Sequence, residues 1–161
     1  MTEQEQRINR LLVGAFHSLL RCEGRALQSS SFQNLSISEI HTLEIIGDLA
    51  QNDMPGSMSA IAERLNITTG TLTVSINTLQ RKGYVVRQRS KPDLRIVRVT
   101  LTELGQRAYD EHKAFHCSLV RYLTERLSPS DLKGLTATLD LIERFFCMSD
   151  ATILQEEPPC P

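Results

Sequence analysis

The sequence predicts a mainly α-helical protein with one small β-hairpin, an α+β chain in which long helices flank a short central domain. Three observations support this fold class. Apolar residues recur at helical spacing through most of the 161 residues. Two short β-type segments follow one another, joined by a turn that contains Pro92 and Asp93. Aromatic residues make up only 5% and Trp is absent, so Leu, Ile and Val must build the core.

The N-terminal third of the chain predicts two helices separated by a polar linker. Residues 5–28 form the first helix, and its apolar residues share one face: Ile8, Leu11, Leu12, Ala15, Phe16, Leu19 and Leu20. Residues 29–35 are rich in Ser and Asn and form the linker. Ser36 stands three residues before Glu39, which is the spacing of a capping box, so a second helix begins here and runs to about Ala50.

The middle of the chain predicts two more helices joined by a tight turn. Residues 58–65 form a short amphipathic helix, and residues 66–68 form the turn. The next helix covers residues 69–82 and ends in basic residues. Gly83 follows as the left-handed residue that commonly ends a helix. A short helix, a turn and a second helix in this order are typical of a helix-turn-helix.

The C-terminal half predicts the hairpin and two further helices. The strands cover residues 84–89 and 95–101. A long helix follows over residues 102–127, and a last helix with Pro in its first turn covers residues 129–146. Residues 149–161 are acidic and contain three prolines, so we expect this tail to be disordered.

These elements predict a winged helix-turn-helix domain over residues 36–100. Residues 5–35 and 101–148 form a helical region on either side of it in the sequence. Such long amphipathic helices cannot bury all their apolar surface on a domain of this size. We therefore expect them to pair with a second copy of the chain, so that they form the dimerisation region of a homodimer.

Composition excludes several classes of protein. No stretch reaches the length of apolar residues that a membrane span needs, and no secretory signal is present, which predicts a cytoplasmic protein without membrane contact. The four cysteines have neither a metal-binding nor a disulfide spacing, so we expect reduced thiols: Cys22, Cys117, Cys147 and Cys160. Common catalytic motifs are missing as well, and the chain is predicted not to be an enzyme.

The distribution of charge predicts binding to a polyanion. The net charge is only −1. Residues 60–100, however, hold eight basic and two acidic side chains and carry +6, while the rest holds ten basic and 17 acidic side chains and carries −7. A basic block within a neutral chain indicates a protein that places one face on nucleic acid. Because the block coincides with the helix-turn-helix, we expect double-stranded DNA as the partner.

The second helix of a helix-turn-helix enters the major groove. Leu72, Ile76 and Leu79 share one face of residues 69–82 and predict its buried side. The DNA-binding residues are expected on the opposite face and at the helix start: Thr69, Gly70, Thr71, Thr73, Val74, Asn77 and Arg81. The threonines at the start suit phosphate contacts, whereas Thr73 and Asn77 can contact base edges.

The hairpin supplies a second predicted DNA contact. Its basic residues are Arg87, Arg89, Lys91, Arg95 and Arg98. We assign DNA contact to Lys91 and Arg95, because an arginine at the hairpin tip can enter the narrow, electronegative minor groove of A·T tracts.

Several of these motifs resemble the MarR family of transcription regulators. They are Gly83-Tyr84-Val85 and the pattern Asp93-x-Arg95-x5-Leu101-Thr102-x2-Gly105. The resemblance implies a triangular homodimer in which the terminal helices intertwine and two winged domains read a palindromic operator. It also implies that Arg95 is the wing arginine and that Asp93 braces it. Leu94 departs from the pattern, since many members carry a second arginine there.

Two segments are similar to the FabT-like branch of that family. They are residues 36–47 and the pattern His112-Lys113-x2-His116. The similarity implies a repressor of fatty-acid synthesis genes. It also implies acyl-carrier protein bearing a long acyl chain as co-repressor and partner. No bound cofactor is expected.

An acyl effector would require a narrow apolar slot. The candidate pocket residues are apolar side chains from the first, second and long helices: Leu12, Phe16, Leu19, Leu20, Ile40, Leu43, Phe115 and Leu119. Helical patterning alone favours the alternative that these residues form solid core, and the two interpretations stay open.

The histidines admit a different function. His112 and His116 lie four residues apart on the long helix and share a face, and His41 lies on the second helix. A packed histidine cluster is the main interpretation, and no metal is expected. The alternative is a zinc site in a metal-sensing regulator similar to the AdcR-like branch. Ile40 stands where that branch has a glutamate, however, and residues 29–31 lack its cysteine.

Overall fold

The computed structural model describes residues 1–52, 54, 56–89 and 97–148. These ranges contain six helices and two strands in the predicted order: α1 (Glu3–Ser29), α2 (Ile37–Gln51), α3 (Met58–Arg64), α4 (Thr69–Arg81), β1 (Val85–Arg89), β2 (Val97–Leu101), α5 (Glu103–Thr124) and α6 (Pro129–Met148). The mainly α fold class with a small two-stranded sheet is therefore confirmed. The hairpin tip and the tail from residue 149, which was predicted to be disordered, lie outside the described residues.

The chain divides into two compact units. One runs from Leu19 to Cys117, and the other combines Met1–Ser18 with the chain from Ser118 onward. The domain predicted over residues 36–100 lies wholly within the first unit, which also contains the end of α1 and most of α5. The two units are described separately below.

The unit from Leu19 to Cys117 holds the apolar core. Its fully buried aliphatic side chains come from α2, α3, α4 and both strands: Ile40, Leu43, Ile46, Leu49, Ile61, Leu72, Ile76, Leu79, Val85 and Val99. The two largest buried side chains are Tyr84 and Tyr109. Helix α2 packs on α3, α4 and β2, so it is the element around which the other parts of the helix-turn-helix assemble.

The capping box that begins α2 is present as predicted. The hydroxyl of Ser36 accepts from the backbone N–H of Glu39 at 3.2 Å, and the Glu39 carboxylate accepts from the backbone N–H of Ser36 at 2.7 Å. Lys82, which ends α4, adds a contact that the sequence did not suggest. Its ammonium donates to both carboxylate oxygens of Glu39 at 2.8 Å and to the carbonyl of Asn34. One carboxylate thus joins the start of α2 to the end of α4.

Replacing Glu39 with glutamine is expected to destabilise the chain at neutral pH. Burial alone would raise the pKa of Glu39, but hydrogen bonds from Lys82 and Ser36 outweigh burial and lower it. Glutamine preserves the capping box and removes the charge, so the loss in the free energy of unfolding should be about 1–3 kcal/mol. Urea unfolding at several pH values measures it.

The sign of the pH dependence follows from the lowered pKa. The charged carboxylate contributes stability above the pKa of an unfolded glutamate, about 4.3, and this contribution is lost as the pH falls through the folded-state pKa. Wild-type and Glu39→Gln protein should therefore converge in acid. Glu63→Gln, at an exposed position of α3, is the matched control and should leave stability unchanged. A constant difference between wild type and Glu39→Gln at all pH values would contradict the charge argument.

The turn and the hairpin set the position of α4. Asn66 adopts a left-handed conformation with φ of 51° in the turn before α4. Gly83 has φ of 84°, as predicted for the residue that ends this helix. The strands then pair antiparallel, with Val85 opposite Leu101 and Arg87 opposite Val99. The chain therefore turns back directly from α4 into a strand that lies beside it.

Two predictions about the whole chain can be compared with the described ranges. Cys22 and Cys117 are exposed and are not paired with each other, and their reduced state stays a prediction. Within the same ranges, every helix is too short or too polar to cross a membrane.

Candidate nucleic-acid interface

Helix α4 has one buried and one exposed face. It begins at Thr68, whose side-chain oxygen accepts from the backbone N–H of Thr71 at 3.1 Å. Leu72, Ile76 and Leu79 are completely buried and fix the helix on the core. Because the apolar side chains occupy one face, the opposite face of the helix is left in solvent, as a recognition helix requires.

All seven DNA-binding residues predicted on α4 are exposed. They are Thr69, Gly70, Thr71, Thr73, Val74, Asn77 and Arg81. Val74 is 67% exposed although it is apolar, which suits contact with a thymine methyl group. The structure therefore brings these seven residues onto one accessible surface. The two predicted wing residues, Lys91 and Arg95, and the bracing Asp93 lie outside the described residues.

The hydroxyl of Thr73 has a fixed orientation. It donates to the carbonyl of Thr69 at 2.8 Å, one turn back along the helix. The proton of this hydroxyl is therefore engaged, and its oxygen remains as an acceptor. An acceptor at this place in the major groove is suited to the exocyclic amino group of adenine or cytosine.

Arg87 on β1 is a site residue that the sequence analysis did not assign. Its Nη1 donates to Oδ1 of Asn77 at 2.6 Å, and its Nη2 donates to the carbonyl of Thr73 at 3.3 Å. The guanidinium group of Arg87 thus fixes the orientation of the Asn77 side-chain amide. With Oδ1 engaged in this way, Nδ2 of Asn77 is left to donate to a base acceptor such as guanine O6 or N7.

Removing Arg87 is expected to reduce operator affinity through Asn77. Asn77→Ala should cost about 1–3 kcal/mol on the cognate site and little on random DNA. Arg87→Ala should also weaken binding to cognate DNA more than to random DNA, with a smaller loss of binding free energy than Asn77→Ala. Because the two residues are coupled, the double variant should lose less binding free energy than the sum of the two single losses. Fluorescence anisotropy with cognate and random duplexes measures all three.

Arg89→Ala is the matched control for this cycle, since Arg89 is exposed on the same strand. It should weaken binding to cognate and random DNA alike, as a phosphate contact does. Strictly additive losses for Arg87 and Asn77 would show that Arg87 does not act through Asn77.

The residues predicted to line a ligand slot lie in different surroundings. Ile40 and Leu43 are buried in the core, and Leu19 and Phe115 are partly buried. Leu12, Phe16, Leu20 and Leu119 are exposed. A small pocket within the Leu19–Cys117 unit includes two of the eight, Ile40 and Phe115. Its other apolar walls are Ala26, Leu27, Phe32 and Ala108. The slot itself stays a prediction.

The predicted histidines come together in the same unit. The ring centroids of His112 and His116 are 4.6 Å apart, and those of His112 and His41 are 5.5 Å apart. Burial is the main reason that the pKa of His112 falls to about 4, and the neighbouring His116 and His41 lower it further, whereas Glu23 opposes them. The ring of His112 is therefore neutral at physiological pH.

The chain is similar to known proteins in sequence and in fold. A family model described as the MarR family matches residues 33–96. The structure of Streptococcus pneumoniae FabT in complex with DNA is 34% identical to this chain, with a TM-score of 0.81 over 88% of this chain and 96% of that one. The S. aureus MepR–DNA complex is 18% identical, with a TM-score of 0.69 over 86% and 95% of the two chains, and shows the shared fold.

A similar Bacillus subtilis (strain 168) protein is YkoM, which is described as an uncharacterized HTH-type transcriptional regulator. It is 28% identical over 126 residues, which cover 76% of this chain and 82% of YkoM.

The exposed recognition helix, the hairpin beside it and these similarities define the class of protein. The chain is a winged helix-turn-helix DNA-binding regulator of transcription and not an enzyme. It belongs to the MarR family, and its similarity to FabT supports the FabT-like branch.

Proposed function

We propose that this regulator is a repressor that binds a palindromic operator as a homodimer. The observation that carries the proposal is the exposed face of α4, on which Arg87 holds Asn77 in position. A palindrome presents the same half-site twice, about one helical turn apart, and two copies of this face would read both. The test is a mobility-shift assay with the DNA upstream of the chain's own gene. Equal affinity for that DNA and for random DNA would overturn the proposal.

The homodimer is supported by apolar side chains that the single chain leaves in water. In the unit formed by residues 1–18 and 118–148, large apolar residues of α1, α5 and α6 are exposed: Ile8, Leu11, Leu12, Phe16, Val120, Leu139, Leu141 and Phe145. So many large apolar side chains left exposed on one unit indicate an interaction site. A second copy of the same helices is the partner that covers it symmetrically. A cytoplasmic location is part of the same proposal, because the regulator must lie in the compartment that contains its operator DNA.

The genes under control are proposed to be those of fatty-acid synthesis, with acyl-carrier protein bearing a long acyl chain as co-repressor. The support is the similarity to FabT over 88% of the chain. The pocket beside Ile40 and Phe115, which is mostly apolar but is also lined by Glu23, Glu111 and His112, is the candidate entry for an acyl chain. Its free volume is only about 30 Å³, so an acyl chain would have to widen it by moving partly buried walls such as Phe115.

A titration of acyl-carrier protein into the regulator with labelled operator tests the co-repressor. Long-chain acyl-carrier protein should raise operator affinity, and the unacylated carrier should not. Phe115→Trp narrows the candidate entry and should reduce the effect of the acylated carrier while basal operator affinity is retained. If neither long nor short acyl chains change operator affinity, the co-repressor proposal fails and the repressor proposal stands.

A further inference from the structure

Glu23 is a buried carboxylate in the C-terminal part of α1. Its side chain is 3% exposed, and it faces the histidines described above. Oε1 lies 3.2 Å from Nε2 of His116 and 4.0 Å from Nε2 of His112, and Oε2 lies 3.7 Å from Nε2 of His41. Three helices of the Leu19–Cys117 unit therefore place three imidazoles around one carboxylate, and the donor atoms of Glu23, His41 and His112 lie within 4.8 Å of one another.

The spacing of these atoms matches a tetrahedral metal site. Zn²⁺ binds His nitrogen and carboxylate oxygen at about 2.0–2.1 Å, which places neighbouring donor atoms of a tetrahedron about 3.3 Å apart. The Nε2 atoms of His112 and His116 are 3.4 Å apart, and the distances from Glu23 are 3.2, 3.7 and 4.0 Å. The donor atoms of Glu23, His41 and His112 already lie within 4.8 Å of one another. Closing the 3.7 and 4.0 Å distances by about 0.4 and 0.7 Å would bring them to the tetrahedral spacing, with His116 as the fourth donor.

The cluster also lacks the hydrogen bonds that would satisfy it without an ion. Oε2 of Glu23 and Nδ1 of His112 are buried and have no hydrogen-bond partner among the described residues. A buried carboxylate oxygen without a donor costs free energy that a packed histidine cluster would avoid. A bound cation would compensate the carboxylate charge and use the neutral ring of His112 as a ligand.

We propose that Glu23, His41, His112 and His116 form a Zn²⁺ site. A set of three imidazoles and one carboxylate suits Zn²⁺ better than Mg²⁺ or Ca²⁺, which prefer oxygen ligands. We assign Glu44 as a positioning residue, because its Oε2 lies 3.7 Å from Nδ1 of His112 and a small side-chain movement on metal binding would complete a hydrogen bond to it. A carboxylate on the outer nitrogen of a ligating histidine fixes the tautomer in which Nε2 binds the metal.

The site would connect α1 and α5 to α2. Since α2 packs on α3, α4 and β2, the ion would fix the helix that supports the DNA-reading surface. Binding to the folded state alone also raises its stability by mass action. The site shares Glu23 and His112 with the pocket proposed for an acyl chain. Its occupancy by Zn²⁺ is therefore measured without DNA and without acyl-carrier protein, so that its failure is distinguishable from a failure of the proposed function.

The test begins with the full chain stripped of metal by a chelator and titrated with Zn²⁺ by calorimetry. One ion per chain is expected, together with a rise in melting temperature. Titration with Co²⁺ should give the visible absorption of a four-coordinate ion with nitrogen and oxygen ligands and without the charge-transfer band of a thiolate. Sub-stoichiometric binding, or a thiolate band from Cys22 or Cys117, would overturn the assignment.

Variants then identify the ligands. Glu23→Gln and His112→Ala should each weaken Zn²⁺ binding by about 100-fold or more, and Glu44→Gln should weaken it by about 10-fold, at the lower end of the range for an outer partner. The rings of His41 and His116 are partly exposed, so His41→Gln and His116→Gln should fold even if the variants of buried Glu23 and His112 do not. His17→Ala, on exposed α1, is the matched control and should bind Zn²⁺ as wild type does. Unchanged affinity in His41→Gln and His116→Gln would overturn the proposal.

Discussion

Gly105→Ala is expected to remove about 3 kcal/mol or more from the free energy of unfolding. A Cβ at position 105 would lie 2.1 Å from the carbonyl oxygen of Tyr84 and 3.4 Å from Cβ of Leu101. The obstacle is backbone, which cannot rotate away, so the loss falls at or above the upper end for overpacked positions. The same carbonyl accepts from Thr102 at 3.0 Å, and this bond joins the start of α5 to the hairpin.

Gly134→Ala is the matched control for this substitution. Position 134 lies in α6, and nothing is within 4 Å of a Cβ built there. Alanine should therefore stabilise that helix by up to about 1 kcal/mol through its higher propensity. Thermal unfolding of both variants should show a fall for Gly105→Ala of several degrees and a small rise for Gly134→Ala. Equal melting temperatures would show that α5 moves away from β1 at little cost.

Local sequence signals were sufficient for most of the fold. Ser36 and Glu39 form the capping box that their spacing predicted, and Gly83 has the left-handed conformation expected of a helix terminator. Leu72, Ile76 and Leu79 are buried, so helical periodicity also identified which face of α4 is free. The capping box, the helix terminator and the buried face of α4 each depend on residues within one or two helical turns of each other. Such short spacings can be recognised in the sequence without knowledge of the tertiary structure.

The contacts that the sequence did not reveal join distant segments. Arg87 meets Asn77 across the space between β1 and α4. Its position offered a signal, since it lies two residues after buried Val85 and therefore points to the same side of the strand. Lys82 and Glu39 are 43 residues apart, and nothing in either local pattern indicates that they meet.

Glu23 shows how a functional residue can be overlooked in an apolar stripe. It follows Leu19 and Leu20 at helical spacing and precedes Leu27, so it occupies a core position of α1. Helical periodicity identifies the apolar members of the stripe, whereas an acid among them is a separate signal of a buried charge. Buried acids require a partner, and the partners were the three histidines that had already been grouped by sequence.

Leu11→Asp is expected to convert the proposed homodimer to a monomer and to abolish specific operator binding. Leu11 is 64% exposed in the single chain and lies on the apolar stripe of α1 together with Ile8 and Phe16. Burying an unpaired carboxylate in the interface would cost more free energy than the remaining apolar contacts contribute to dimerisation. Because the monomer reads a single half-site, operator affinity should fall by about 1,000-fold or more, toward the level of random DNA.

Sedimentation and operator titration on the same preparation measure both effects. His17→Asp is the matched control, since it adds the same charge to exposed α1 about 120° around the helix from Leu11, and it should remain dimeric. The melting temperature of the Leu19–Cys117 unit should change little, because Leu11 belongs to the other unit. A Leu11→Asp protein that is still dimeric would place the interface elsewhere. A monomer that retains full operator affinity would separate DNA recognition from dimerisation, and palindromic reading by two copies of α4 would then have to be abandoned.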